Sequence, residues 1–166
     1  MSILQSASNA SAWRGNTALQ EFQMTLGPAL PVPNEHDFAQ LNTAYAASGG
    51  MARANDLARL REEPCCDYCM SLEKLIALRA VFGFDWQRTY WVPMFQFQAD
   101  LRLKPGPRKV LAEVASVCDG WSLALWFVRP CPRLNAQTPV ALVDSNLPDV
   151  LQAARDDRRM LNRSDV

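Results

Sequence analysis

Cys65, Cys66 and Cys69 are the residues whose type and spacing most invite chemistry. Cys66-Asp67-Tyr68-Cys69 has the two-residue gap of a dithiol redox centre or of one zinc knuckle. A tetrahedral structural zinc site needs four ligands, commonly from two such knuckles. No second pair exists in this chain: Cys118 and Cys131 are isolated, and His36 is its one histidine. A dithiol redox centre belongs in a strand–helix–strand setting, whereas this cluster falls between two predicted helices. Adjacent Cys65 and Cys66 also suit a disulfide framework poorly. The economical reading is an inter-helix turn that carries free thiols in a reducing cytoplasm, with no metal and no cofactor. An enzyme built on the Cys65 cluster is the competing reading.

Other catalytic constellations fare no better. A nucleophilic Ser or Cys needs an adjacent base, and His36 lies in a Pro- and Asn-flanked cap region. Glu62-Glu63 and Asp156-Asp157 are sequence neighbours, so on a helix their side chains diverge by about 100° and make no dyad. Gly49-Gly50 has neither the preceding strand nor the lysine of a phosphate loop. The residue pattern therefore predicts a protein that binds rather than catalyses.

Composition sets the outer limits. The chain has 166 residues, of which 49% are hydrophobic, enough for one ordinary core or a core with a small appendage. Seventeen basic residues balance seventeen acidic ones, so the whole molecule does not attract polyanions and any nucleic-acid contact needs local asymmetry. No apolar run of about 18 residues is present, which predicts no membrane span. The N-terminus lacks the basic and apolar regions of a signal peptide. The expected location is cytoplasmic.

The elements that would position functional side chains follow from caps and periodicity. Residues 1–33 read as a loose arm. Asn34 and Asp37 open a helix carrying Phe38, Leu41 and Tyr45 on one stripe, and Gly49-Gly50 stops it. A second helix is predicted from Arg53 to Glu62, ended by Pro64. Ser71 caps a third with Leu72, Leu75, Ile76 and Arg79. Val81–Phe84 and Thr89–Phe97 read as a hairpin, with Pro93 requiring its strand to be an edge or bulged. Residues 34–97 thus outline a helix-turn-helix-like unit followed by a wing-like hairpin. Lys74, Arg79 and Arg88 are its candidate DNA contacts. From Met51 to Tyr90, however, the basics Arg53, Arg59, Arg61, Lys74, Arg79 and Arg88 are matched by Asp56, Glu62, Glu63, Asp67, Glu73 and Asp85, and phosphate binding requires net positive charge.

After Pro105-Gly106-Pro107, a helix presents Val110, Leu111, Val114 and Val117. Asp119 caps the next, where Trp121, Ala124, Leu125 and Val128 share a side. Trp126 and Phe127 fall off that stripe and are expected to form a contact patch. Thr138-Pro139 opens a short helix to about Val143. Asn146 and Pro148 open the last, to about Arg159. The aromatic set Trp86, Trp91, Phe95, Phe97, Trp121, Trp126 and Phe127 is as a whole expected to be mostly core. The predicted architecture is mainly α, with one small hairpin and a compact C-terminal helical unit over 104–160.

Trp91-Val-Pro-Met-Phe-Gln-Phe97, Pro107 with Val110-Leu-Ala-Glu113, Asp119-Gly-Trp-Ser-Leu-Ala-Leu-Trp-Phe127, Pro130 with Leu134, Thr138-Pro139-Val140, and Val150-Leu151 with Ala153-Ala154 and Asp156 occur in that order. Together they resemble the toxin-binding domain of the Xre/MbcA/ParS-type antitoxins over about residues 49–158. The resemblance implies a non-catalytic antitoxin partnered with a RES-domain toxin that consumes NAD. Such a protein blocks the toxin's active-site entrance and represses its own operon through an upstream helix-turn-helix. It further implies that Pro130, Leu134, Pro139, Val140 and Leu151 are framework, and that Trp126, Leu134, Arg155, Arg158 and Arg159 lie toward the toxin. Cys131 replaces the family's usual Asn, and Ala136 stands where a Gly is usual. A homodimer is expected, because helix-turn-helix proteins match two-fold operators. The alternative is an orphan DNA-binding regulator without a toxin.

Overall fold

The computed structural model describes residues 33–62 and 70–164. The Cys65, Cys66 and Cys69 cluster, and the arm up to residue 32, lie outside the described residues. In chain order the elements are α1 (Glu35–Tyr45), β1 (Met51–Arg53), α2 (Ala54–Glu62), α3 (Leu72–Ala77), β2 (Phe84–Trp86), β3 (Thr89–Pro93), α4 (Pro105–Val114), α5 (Gly120–Val128), α6 (Pro139–Leu142) and α7 (Leu147–Ser164). The molecule is predominantly helical, with a small three-stranded antiparallel sheet.

Local chemistry explains where the helices begin. At α1 the Asn34 carboxamide oxygen accepts from the His36 and Asp37 amides, and the Asp37 carboxylate accepts from the Asn34 amide. This reciprocal cap satisfies three donors that the first turn would otherwise leave unpaired. Ser71 caps α3 through the Lys74 amide, and Asp119 caps α5 through the Ser122 amide. Pro105 and Pro107 sit in the first turn of α4, where no amide donor is missed. After α1, Gly49 adopts φ 99°, a conformation a side chain would oppose. The last helix continues to Ser164, beyond the expected Arg159.

The sheet differs from the expected hairpin. β1 pairs with β3 (Met51 opposite Pro93, Arg53 opposite Trp91), and β2 pairs with β3 (Phe84 opposite Trp91, Trp86 opposite Thr89). The strand order is β1-β3-β2, so the proline-bearing strand is central rather than an edge. Pro93 is tolerated because it is the last residue of β3 and lies beyond the β2 pairing. The Met94 amide then donates to the Gly50 carbonyl. The hairpin closes over two residues, Gln87 and Arg88, with φ 48° and 62°, the left-handed pair that a twisted two-residue turn requires. That turn pulls the first strand forward to Phe84–Trp86, past the predicted Val81–Phe84.

Two cores lie on either side of this sheet. The larger gathers Leu41, Tyr45, Phe82, Phe84, Phe95, Val110, Leu111, Trp121, Phe127, Val150 and Ala154. The smaller joins Leu57, Leu72, Leu75, Val81, Val92 and Phe97. β3 feeds both, because alternate residues of a strand face opposite ways: Trp91 packs with the first core, Tyr90 and Val92 with the second. α1 belongs to the larger core. The Tyr45 hydroxyl donates to the Ala124 carbonyl of α5 at 2.8 Å, and Phe38 stacks on Trp86 at 5.2 Å. The larger core therefore draws on both 34–97 and 104–160.

Backbone approach fixes the join. A Cβ on Gly120 would run into the Gly83 carbonyl oxygen, so α5 starts directly on the chain that leads into β2. Gln96, 1% exposed, closes the same region. Its amide nitrogen donates to the Phe82 and Pro93 carbonyls at 2.9 and 3.0 Å, and its oxygen accepts from the Phe82 amide at 2.9 Å. These hydrogen bonds are buried, where unpaired polar groups are costly.

Candidate functional site

α7 carries the polar arrangement that stands out. Arg155, Arg158 and Arg159 occupy spacings i, i+3 and i+4, which bring them to one face of a helix. Glu113, in the last turn of α4, holds two of them: Arg155 Nε reaches Oε1 at 2.9 Å, and Arg158 Nη1 reaches Oε2 at 2.8 Å. Arg159 Nη1 lies 3.2 Å from Asp156. A fourth guanidinium joins from the turn after α5, where Arg133 Nη1 contacts Asp157 at 3.2 Å and Asp156 at 3.7 Å. Their side chains are 38% to 68% exposed. Pairs whose guanidinium end reaches solvent contribute only about 0–1 kcal/mol each, and the carboxylates also orient the guanidiniums. Each guanidinium has five N–H donors and meets these carboxylates through a single nitrogen.

Arg133 was not foreseen. No local motif points to it, and it lies 24 residues from its partner Asp157. Asp157 is the junction of the arrangement. Its Oδ2 accepts from the Trp126 indole N–H at 2.8 Å, while Oδ1 meets Arg133. Burial raises its carboxyl above the ordinary aspartate range, and neighbouring Asp156 adds to this; the Trp126 hydrogen bond and Arg133 oppose it. Asp156 shares Arg133 at the longer distance of 3.7 Å and makes its hydrogen bonds to Gln152 and Arg159.

Trp126, expected at a contact patch, and Leu134, which the resemblance places toward the toxin, both lie in the larger core. Both are 3% exposed, and Phe127 is fully buried. Trp121, Ser122, Leu123, Ala124, Trp126 and Phe127 of α5 are all buried, so that helix has no free side and a residue off the main apolar stripe still faces protein. Trp126 packs edge-on against Phe127 at 5.0 Å. Within this chain, Trp126 and Leu134 support the surface from beneath rather than forming it.

The turn bearing Arg133 is tightly drawn. Cys131 bridges to Gln137, and Asn135 and Ala136 both have positive φ, 54° and 61°. Asn tolerates this region; Ala does not readily. Cys118 also lies near the junction. Its thiol is pushed up to about 12, chiefly by burial and then by Asp119 and Asp157, which keeps it protonated and a poor nucleophile.

The candidate DNA residues lie on different elements. Lys74 is exposed on α3, and Arg88 is exposed at the hairpin turn. Arg79 follows α3 with φ 54°, and its Nη1 donates to the Ala115 carbonyl at 2.9 Å, which turns that guanidinium toward α4. His36 contacts Gln40 on the surface of α1 at 2.9 Å. Among the described residues, no group of three or more His, Cys, Asp or Glu is placed to hold a metal ion, and no helix is long and apolar enough to cross a membrane. No family model, curated protein or solved structure matches this chain.

Proposed function

We propose that this protein is a non-catalytic, antitoxin-like binding protein that neutralises a RES-type, NAD-consuming toxin. The observation that carries this reading is the convergence of the residues behind the resemblance. Phe97 packs in the smaller core, Phe95, Trp121, Trp126, Phe127, Leu134, Val150, Ala153 and Ala154 pack in the larger, and Val140 and Leu151 pack against it. Their chemistry is spent on packing. What that framework offers outward is α7, with Arg155, Arg158 and Arg159, and the Arg133 turn beside it. A guanidinium group whose orientation is fixed before encounter loses less entropy on docking, which suits a surface made to meet a protein.

Residues 35–97 supply the second half of the proposal, contact with operator DNA as a dimer. The helix–strand–helix–helix–strand–strand order, with β3 between β1 and β2, supports a winged helix-turn-helix reading. Lys74 on α3 and Arg88 on the wing are then the phosphate contacts.

Co-expression with a RES-domain protein encoded beside its gene tests the first half. Cellular NAD is retained and the two chains co-elute; NAD loss equal to that with the toxin alone refutes it. In an operator titration, Lys74→Ala and Arg88→Ala each weaken binding across sequences and lower the salt slope by about 1. DNA binding with no toxin neutralisation selects the orphan-regulator reading instead.

A further inference from the structure

The last turn of α4 is held from two directions. From one side, Arg79, two residues beyond α3, donates to the carbonyl of Ala115, the C-cap residue of the helix, at 2.9 Å. From the other, Arg155 and Arg158 of α7 share the two oxygens of Glu113. Glu113 is badly placed for its own helix, because a negative charge in the last turn opposes the negative end of the helix dipole. Three guanidiniums, none of them on α4, offset this, and the helix has no basic residue in its own last turn.

We propose that the terminal turn of α4 couples the end of α3 to the guanidinium row of α7. When Arg155 and Arg158 leave Glu113, the unopposed carboxylate loosens the turn. The Ala115 carbonyl then no longer anchors Arg79. Arg79 already sits at φ 54°, a conformation unfavourable for a residue with a side chain, so the segment after α3 loosens in turn. By linkage the effect runs both ways. If the proposed function holds, a protein that captures the α7 guanidiniums alters the presentation of α3, the element proposed to face DNA. That consequence rests on the functional reading, whereas the coupling itself is tested on the isolated chain.

The test is amide hydrogen exchange by NMR on the full-length protein. The reporters are Ala115, Val117 and Cys118, bonded to Leu111 and Val114, and Arg79, Ala80 and Val81, bonded to Ile76 and Leu75. In the Arg155→Gln/Arg158→Gln variant, exchange rises about threefold or more at both groups, as expected from losing a helix-terminal charge interaction, while Leu41 and Tyr45 of α1 are unchanged. Adding Glu113→Gln, which removes the unpaired charge, restores both groups toward wild type. High salt applied to the wild-type chain reproduces the loosening without any substitution. Faster exchange confined to α7, or no restoration by Glu113→Gln, overturns the coupling. Failure of toxin neutralisation would leave this exchange pattern intact, so the two ideas fail separately.

Discussion

At the scale of single residues, Asp157 carries the most testable chemistry. Because burial raises its folded-state pKa, the folded protein binds this proton more tightly than the unfolded chain does. The resulting stability is fully present below the ordinary aspartate value and is lost as pH rises through the raised folded value. Asp157→Asn keeps an acceptor for the Trp126 N–H but has no charge to bury. The stability of the wild type relative to this variant therefore falls as pH rises from the ordinary aspartate range through the raised folded value, read from urea midpoints. A wild-type advantage that grows with pH would contradict this. Cys118 gives an independent reading of the same interior. With its thiol held near 12, it resists alkylation at about pH 8 in the folded protein and reacts promptly in urea, as peptide mass mapping would record. Neither result was legible from the residues alone. Asp157 read as one of two solvated neighbours and Cys118 as an isolated thiol, because nothing within a few positions shows what Trp126 and Arg133 bring from other elements.

At the scale of elements, what could be read in advance was what local chemistry decides. Asn34 with Asp37, Ser71, Asp119 and Pro105-Gly106-Pro107 each mark a helix start through groups within a few residues, and the helices begin there. β1 escaped notice because three residues are too few to show alternation, and its only warrant is pairing with β3, some forty residues later. Pro93 does not by itself decide between an edge, a bulge and a central strand's end, for the same reason: a missing donor restricts one side of one residue and does not set the strand order. Gln96 has no role visible in the sequence, yet it ties the turn after β3 to the chain before β2. Gln96→Leu leaves the Phe82 amide and carbonyl and the Pro93 carbonyl without its hydrogen bonds, at a cost on the order of 3 kcal/mol. A midpoint shift in urea equivalent to well under 1 kcal/mol would show that these groups find other partners.

At the scale of the whole molecule, the shared core matters more than the apparent division at Pro105. Tyr45 and Phe95 stack at 5.7 Å, and Phe95 meets Phe127 of α5 at 4.7 Å, so the two halves bury each other's aromatic rings. Unfolding is consequently one transition, with tryptophan fluorescence and far-ultraviolet circular dichroism coinciding along a urea titration. A fragment ending at residue 103 does not fold alone. Two separated transitions, or a cooperatively folded fragment, would establish independent units.

The sequence by itself determined the helix starts, the predominance of helix and the burial of most of the large rings, because each depends on neighbours a few bonds away or on hydrophobicity alone. Only the tertiary structure decided that α1 packs with the C-terminal helices, that Trp126 lies beneath the surface rather than on it, and that Arg133 joins the α7 row. Those outcomes depend on which distant groups arrive at the same point. Helical periodicity reveals that a side chain faces away from the main apolar stripe, but whether water or another element covers that second face is set by the packing of the whole chain.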